Sequence, residues 1–402
     1  MREQHSTGET MLHLINAVVL AAGKSNRFKG QSSKLMTKIC GQEMILYPLK
    51  LLSRLKLCTT LVVRDLEKEL KTLVKDENLG AINFVRQEKV LGTGHAVACT
   101  KKLWDNPYVL VLNGDTPLIP DDLIKELIES HQEKNAAVSI VTAFVLSPTG
   151  YGRIVEDENG ICIVEEKDCG DSERHINKIN AGIYLFSRQF LKEHIDLLKD
   201  KNAASEFYLT DMIKIASGKG FPVNVVSRSY DEVRGINNLE ELWAVEQIKR
   251  SDSMRKLMHN GVRFELAQTI HVDNDVQIEN GSFIGSGTHL YGNTKIGKNC
   301  HISACCILEN ATVGNNTILH PHTIIKNSKV GVECQVGPFA HIHDNSSVCA
   351  NTKIGSFTEV SHDNVCPNKE TTRPTITPAT VCGSKVDCLE HRPSSLNKIA
   401  QK

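Results

Sequence analysis

The 402-residue chain lacks any excess of charge: 47 Lys plus Arg balance 47 Asp plus Glu. That balance leaves no broad basic surface for nucleic acid or an anionic membrane, so any phosphate binding must be local. Also missing is an apolar run near the roughly 18 residues that a membrane-spanning helix needs. Met11 to Ala22 imitates the core and cleavage site of a secretory signal, but its flank Arg2 to Thr10 is mixed in charge and it runs straight into a polar loop. There is no Cys-x-x-Cys pair. Thirteen scattered cysteines, an odd number, predict free thiols in a reducing compartment, the cytoplasm, rather than a disulfide framework. Cys366, Cys382, Cys388 and His391 follow one another at spacings of sixteen, six and three, which match no standard zinc site. Neither GxxxxGK[ST] nor GxGxxG occurs, which excludes the two commonest phosphate fingerprints.

What is present begins with short β-branched runs alternating with amphipathic segments up to about residue 245: Ala17 to Leu20, Leu61 to Val63, Ile82 to Val85, Val109 to Leu112 and Ala136 to Val145. Between the first two, Ile45, Leu49 and Leu52 fall at helical spacing. This order predicts a three-layer, mostly parallel, Rossmann-like α/β sheet, whose ligands bind beyond the carboxyl ends of the strands. Leu239, Leu242, Val245 and Ile248 then mark a charged connecting helix.

From Val272 the period changes to six. Val272, Ile278, Ile284, Leu290, Ile296, Ile302 and Leu308 are followed, after a slip of one, by Val313, Leu319 and Ile325. A second slip leads to Val330, Val336, Ile342, Val348, Ile354 and Val360. Sixteen aliphatic positions at three per coil predict a parallel β-helix of a little over five coils. Gly follows the aliphatic residue at 284, 296, 313, 330, 336 and 354, where its freedom at positive φ suits a turn. The expected division is an extension over 1–15, the α/β domain over 16–237, a connecting helix over 238–261, a left-handed β-helix of hexapeptide repeats over 262–365, and a Pro-, Thr- and Ser-rich flexible tail over 366–402.

Two stretches carry chemistry. In "LAAGKSNRFKGQSSK" a strand ends in Ala21-Ala22-Gly23, where backbone N–H groups can approach an anion, and Lys24, Arg27 and Lys34 bring cations to it. In "LNGDTPL" an apolar strand delivers one carboxylate, Asp115, at its carboxyl end, suited to Mg²⁺. Together with "LGTGHAV", "GYGRIVED", "VEEKD", "NAGIY", "SEFYLTD" and "VRGINN", in that order, the chain resembles the sugar-phosphate nucleotidyltransferases. It is most similar to the bifunctional N-acetylglucosamine-1-phosphate uridyltransferase/glucosamine-1-phosphate acetyltransferases, over roughly residues 16 to 361.

The resemblance implies uridylyl transfer from UTP to N-acetylglucosamine 1-phosphate, with Mg²⁺ as cofactor and a homotrimer built on the β-helix. Leu20, Ala21, Ala22 and Gly23 would line uridine and phosphates, while Gln87, Gly92 and Thr93 would read the uracil, Gln offering both a donor and an acceptor. Gly152, Glu165, Asn180, Tyr208 and Thr210 would hold the amino sugar, and Asp115 and Asn237 the metal. Arg27 and Lys34 would face the transferred and departing phosphates as the catalytic cations. Another sugar 1-phosphate as substrate, or a silent scaffold, remain the alternatives at this point; retention of the metal pair and its cations argues against the scaffold. Ser25 and Ser33 depart from the family's glycine and proline, and Ala181 from its threonine. Where the family's acetyl-transfer site has an Arg and a Lys, this chain has His343 and Ser361; His362 is the sole nearby base, and the later His and Asn motifs are not found. Acetyl transfer is therefore expected to be absent.

Overall fold

A computed structural model describes residues 9–23, 33–158, 160–361 and 364–366. The expected flexible tail lies outside the described residues apart from its first residue, as do Lys24, Ser25, Arg27 and His362.

The strands of the first half are β1 (Ile15–Leu20), β2 (Lys38–Ile39), β3 (Gln42–Glu43), β4 (Cys58–Val63), β5 (Ile82–Arg86), β6 (Tyr108–Asn113), β7 (Val138–Phe144), β8 (Arg153–Asp157), β9 (Gly160–Val164), β10 (Lys178–Ser187) and β11 (Val223–Ser227). All but the β2–β3 ribbon join one nine-stranded sheet, ordered β11-β7-β10-β6-β1-β4-β5 with the β8–β9 hairpin off β10. Val18, Val62, Val109 and Val111 are buried on one face, and Val19, Leu61, Leu110 and Leu112 on the other. A sheet covered on both faces needs apolar runs rather than alternation, which is what the strands have. The sheet is more mixed than expected. β6, β1, β4 and β5 are parallel, but β10 runs antiparallel to both β6 and β7, because the chain returns through the β8–β9 hairpin rather than a crossover helix. Helices α1 (Leu46–Arg54), α2 (Glu67–Asp76), α3 (Thr93–Ala98) and α4 (Asp121–Glu133) pack around it.

A 21-residue helix, Leu239–His259, follows, its start capped by the Asn238 side chain accepting from the Glu241 N–H at 2.8 Å. No helix among the described residues is long and apolar enough to cross a membrane.

The remaining chain winds into a three-sided parallel β-helix of three six-stranded sheets. All sixteen aliphatic positions point inward, none more than 6 % exposed. Both slips fall at one corner: Leu308 to Val313 and Ile325 to Val330 turn it with five residues, as does Val360 to Val365, whereas Leu290 to Ile296 and Ile342 to Val348 use six. The aliphatic partners Ile296, Val313, Val330, Val348 and Val365 nevertheless stack one above the next.

The glycine expectation fails for a physical reason. Of the six glycines after an aliphatic residue only Gly337 has positive φ. Gly285, Gly297, Gly314 and Gly331 answer to crowding: a Cβ on Gly285 would lie 2.5 Å from the Ala304 nitrogen, and one on Gly314 2.6 Å from the Gly331 carbonyl carbon, both one coil away, whereas Gly355 has room for one. The left-handed corners belong to other residues, among them Asn299, Asn316, Glu333 and Asn351.

One cysteine pair departs from the free-thiol expectation. Val348 and Val365 are partners on adjacent coils, so Cys349 and Cys366 meet and are disulfide-bonded. The first coil docks on the sheet domain through the Asn274 N–H, which donates to the Cys40 carbonyl at 3.0 Å, and through the Asn274 amide on the Tyr47 hydroxyl.

Candidate active site

At its carboxyl end β1 is tied to both neighbours, to β4 by the Ala21 N–H donating to Val62 O at 2.9 Å and to β6 by the Gly114 N–H donating to Leu20 O at 3.0 Å. Two cavities open there, of about 530 Å³ and 180 Å³. Leu20, Ala21, Ala22, Gly23, Lys34, Gln87, Gly92 and Thr93 line the larger. Gly152, Glu165, Asn180 and Thr210 line the smaller. Leu20, Thr93, Asn113, Asp115, Gly150 and Asn237 border both. The residues attributed to nucleotide and to sugar thus separate into adjoining chambers, with the two metal candidates on the boundary. A larger groove of about 1020 Å³ lies between α1, the start of α4, the long helix and the first coil. It is away from the strand ends and lined by mixed charges, so the chemistry is assigned to the smaller pair.

The larger chamber is shaped by close backbone approach. Gly92 (φ +108°) admits no Cβ, which would sit 2.5 Å from Phe207 O. Gly94 N–H donates to that oxygen and Leu209 N–H to Thr93 Oγ1, knitting the start of α3 to the YLTD stretch. Gln87 is buried, and its amide NH₂ is already used: Nε2 donates to Gly92 O at 3.1 Å and lies 2.9 Å from His95 Nδ1. It therefore presents an acceptor to a ligand, not the donor–acceptor pair expected from residue type.

In the smaller chamber Thr210 Oγ1 donates to Glu165 Oε1 at 2.9 Å, and burial pushes the Glu165 carboxyl above its ordinary value, helped by Asp168, Asp211 and Glu206. A register shift in β10 between Asn180 and Tyr184, with Gly182 at φ +72°, bulges the strand beside Asn180. Asn180 Nδ2 donates to Tyr184 Oη at 2.6 Å and its Oδ1 accepts from Gly182 N–H, fixing the amide.

At the boundary, Lys34 Nζ lies 2.5 Å from Asp115 Oδ2. Ile236 N–H donates to the Asp115 carbonyl at 3.1 Å, which brings Asn237 alongside. Tyr208 lines neither chamber; the nearby acids Asp168, Glu165 and Glu206 add to burial in holding its phenol protonated. Arg27 lies outside the described residues. Motif reading overlooked Arg153, a buried guanidinium donating to Tyr151 O and pairing at 2.7 Å with Glu166, which also accepts from Gly150 N–H. Its signal was present: an Arg beside apolar residues in "GYGRIV" needs a carboxylate partner when it is buried, and "VEEKD" supplies the half-buried Glu166.

Asp115 and Asn237 offer one charged and one neutral oxygen where the chambers meet, a donor set that fits a hard divalent cation completing its shell with phosphate oxygens and water.

The family described as the MobA-like NTP transferase domain matches residues 17–158, and that described as the GMPPB C-terminal domain matches residues 266–381. Among curated relatives, a bifunctional protein GlmU of Clostridioides difficile (strain 630) is 37 % identical over 350 residues, 86 % of this chain and 75 % of that protein. Its namesakes in Clostridium botulinum (strain 657 / Type Ba4) and Alkaliphilus oremlandii (strain OhILAs) are 33 % and 34 % identical, over 92 % and 87 % of this chain and 81 % and 76 % of theirs. With that likeness spanning sheet domain and coils alike, the protein belongs to the bifunctional GlmU family and is a nucleotidyltransferase.

Proposed function

We propose that the cleft transfers a uridylyl group from UTP to N-acetylglucosamine 1-phosphate, releasing pyrophosphate. The observation that carries this reading is the pair of chambers meeting at Asp115 and Asn237. A nucleotide in one and a sugar 1-phosphate in the other would present their phosphates to each other at that boundary.

The sugar-phosphate oxygen attacks the α-phosphorus, the bond to the departing pyrophosphate breaks, and the electron pair leaves with it. The nucleophile is already ionised, so no general base is needed, and the task is to hold two anions in line and offset developing charge. Lys34 supplies a cation at the boundary, with Arg27 assigned the same task on the resemblance. Gln87 Oε1 is an acceptor suited to the N–H of a uracil edge, which cytosine lacks at that position. Glu165, Thr210 and Asn180 position the sugar. When bound by Asp115 and Asn237, Mg²⁺ neutralises phosphate charge and orients the transfer.

We further assign a homotrimeric assembly to the β-helix and no acetyl transfer to the chain, since His343 is engaged by Glu359 and Ser361 is neutral where the family has cations. A cytoplasmic setting suits the use of UTP and the nine described free cysteines, the Cys349–Cys366 bond being the exception. The test is pyrophosphate release from UTP with and without N-acetylglucosamine 1-phosphate and Mg²⁺. Release that requires all three is expected; equal or faster turnover with glucose 1-phosphate would reassign the sugar.

A further inference from the structure

We propose that the outer face of the β-helix carries a zinc-type divalent-metal site formed by His341, His343 and Glu359. The inference is independent of the reaction in the sheet domain.

Its basis is the stacking of the coils. Ile342 and Val360 point into the core, so the residues before them, His341 and Glu359, point outward, and the ladder pairs these two directly across adjacent coils. His343, two residues on from His341, returns to the same outer face, with its N–H donating to Val360 O at 2.8 Å. The two imidazole centroids are 3.8 Å apart. His343 Nε2 already contacts Glu359 Oε1, and one ligand atom from each of the three residues lies within 4.8 Å of the others.

The ladder contains its own controls. His271 and His289 occupy the position of His341 four and three coils earlier, and each has a protein partner: His271 Nε2 is 2.9 Å from Asp273 Oδ1, and His289 Nδ1 is 2.9 Å from Tyr291 Oη. His341 Nε2 is buried and has no hydrogen-bond partner among the described residues. A purely structural histidine in this ladder is satisfied by a neighbour, whereas this one holds an unused nitrogen beside an imidazole and a carboxylate.

Two imidazoles and one carboxylate are a zinc donor set that leaves a fourth position to water. Bonds of about 2.0–2.2 Å in a tetrahedron put donor atoms roughly 3.3 Å apart, so the cluster must contract by about 1.5 Å at most. Glu359, with 59 % of its side chain exposed, is free to supply that movement.

The test uses the untagged full-length chain, stripped with a chelator and titrated with Co²⁺ as a spectroscopic stand-in for Zn²⁺. The cysteines outside the Cys349–Cys366 bond could capture either ion, but thiolate ligation adds intense near-ultraviolet charge-transfer bands that a His₂Glu site lacks. The expected result is one saturable equivalent of Co²⁺ showing visible d–d bands without thiolate bands. Zn²⁺ should displace it. The signal should weaken in affinity by more than the about 10–100-fold that losing an outer-shell partner costs, in both His343→Ala and Glu359→Gln. Glu359→Gln keeps its shape at an exposed position, so an unchanged thermal melt will certify its fold. No saturable binding, thiolate bands in the saturating signal, or wild-type affinity in either variant would overturn the proposal.

Discussion

At the scale of single residues, Asp115 is the sharpest test of the cleft. It stands at the mouth of the chambers with 27 % of its side chain exposed, so Asp115→Ala should fold normally by circular dichroism. Uridylyl transfer is expected to fall by at least about a hundredfold, the loss typical of one electrostatic contact at a transferring group. Wild-type turnover with Mg²⁺ would remove Asp115 from the machinery. Glu165 makes a different prediction. Its carboxyl is raised above the ordinary 4.5 by burial, so the stability it contributes is whole below that pH and is lost as pH climbs through the folded value. Glu165→Gln should therefore raise Tm at neutral pH but not near pH 4, while raising KM for the sugar phosphate. A lower Tm at neutral pH would mean the carboxylate is held by contacts other than Thr210. Much of this site was legible as residue types in motifs, because motif residues collect at strand ends. Their hydrogen-bond states were not. That Gln87 spends its donors on Gly92 O and His95 follows from a loop that folds back five to eight residues later, which no side-chain list reveals.

At the scale of the element, the six-residue ladder was readable because an inward side chain recurs wherever a coil has a side. Its glycines were misread. For Gly285, Gly297, Gly314 and Gly331 the reason is the next coil, 17 to 19 residues away, and not their own φ. The two causes predict opposite outcomes for glycine substitutions in this domain. Gly314→Ala should destabilise by about 1–3 kcal/mol, since the added methyl meets rigid backbone at 2.6 Å. Glu333→Gly should do the reverse. Glu333 is exposed at φ +57°, where relief of about 1–2 kcal/mol outweighs the roughly 0.5–1 kcal/mol of extra chain entropy. Thermal melts of the two variants decide the matter; equal signs would refute the assignment.

At the scale of the whole molecule, the sheet domain and the coils meet through Asn274 on Cys40 and Tyr47, at a junction set apart from the chambers. If assembly and chemistry are separable, a variant that abolishes the proposed uridylyl transfer at Asp115 should sediment as the parent does, and the proposed assembly predicts a trimer for both. A concentration-independent monomer for both would remove the assembly claim. The corner that accepts five or six residues has a consequence for how the gene can vary. Loss of the single codon for Asn293 would turn the six-residue passage from Leu290 to Ile296 into the five-residue passage already used from Leu308 to Val313. Loss of the codon for Ala304 falls at a corner that every coil turns with six, from Ile284 to Leu290 through Ile354 to Val360, and leaves the aliphatic ladder out of step. The first deletion should be nearly silent in a thermal melt and the second damaging, so length changes between relatives of this coil stack should gather along one edge of the prism.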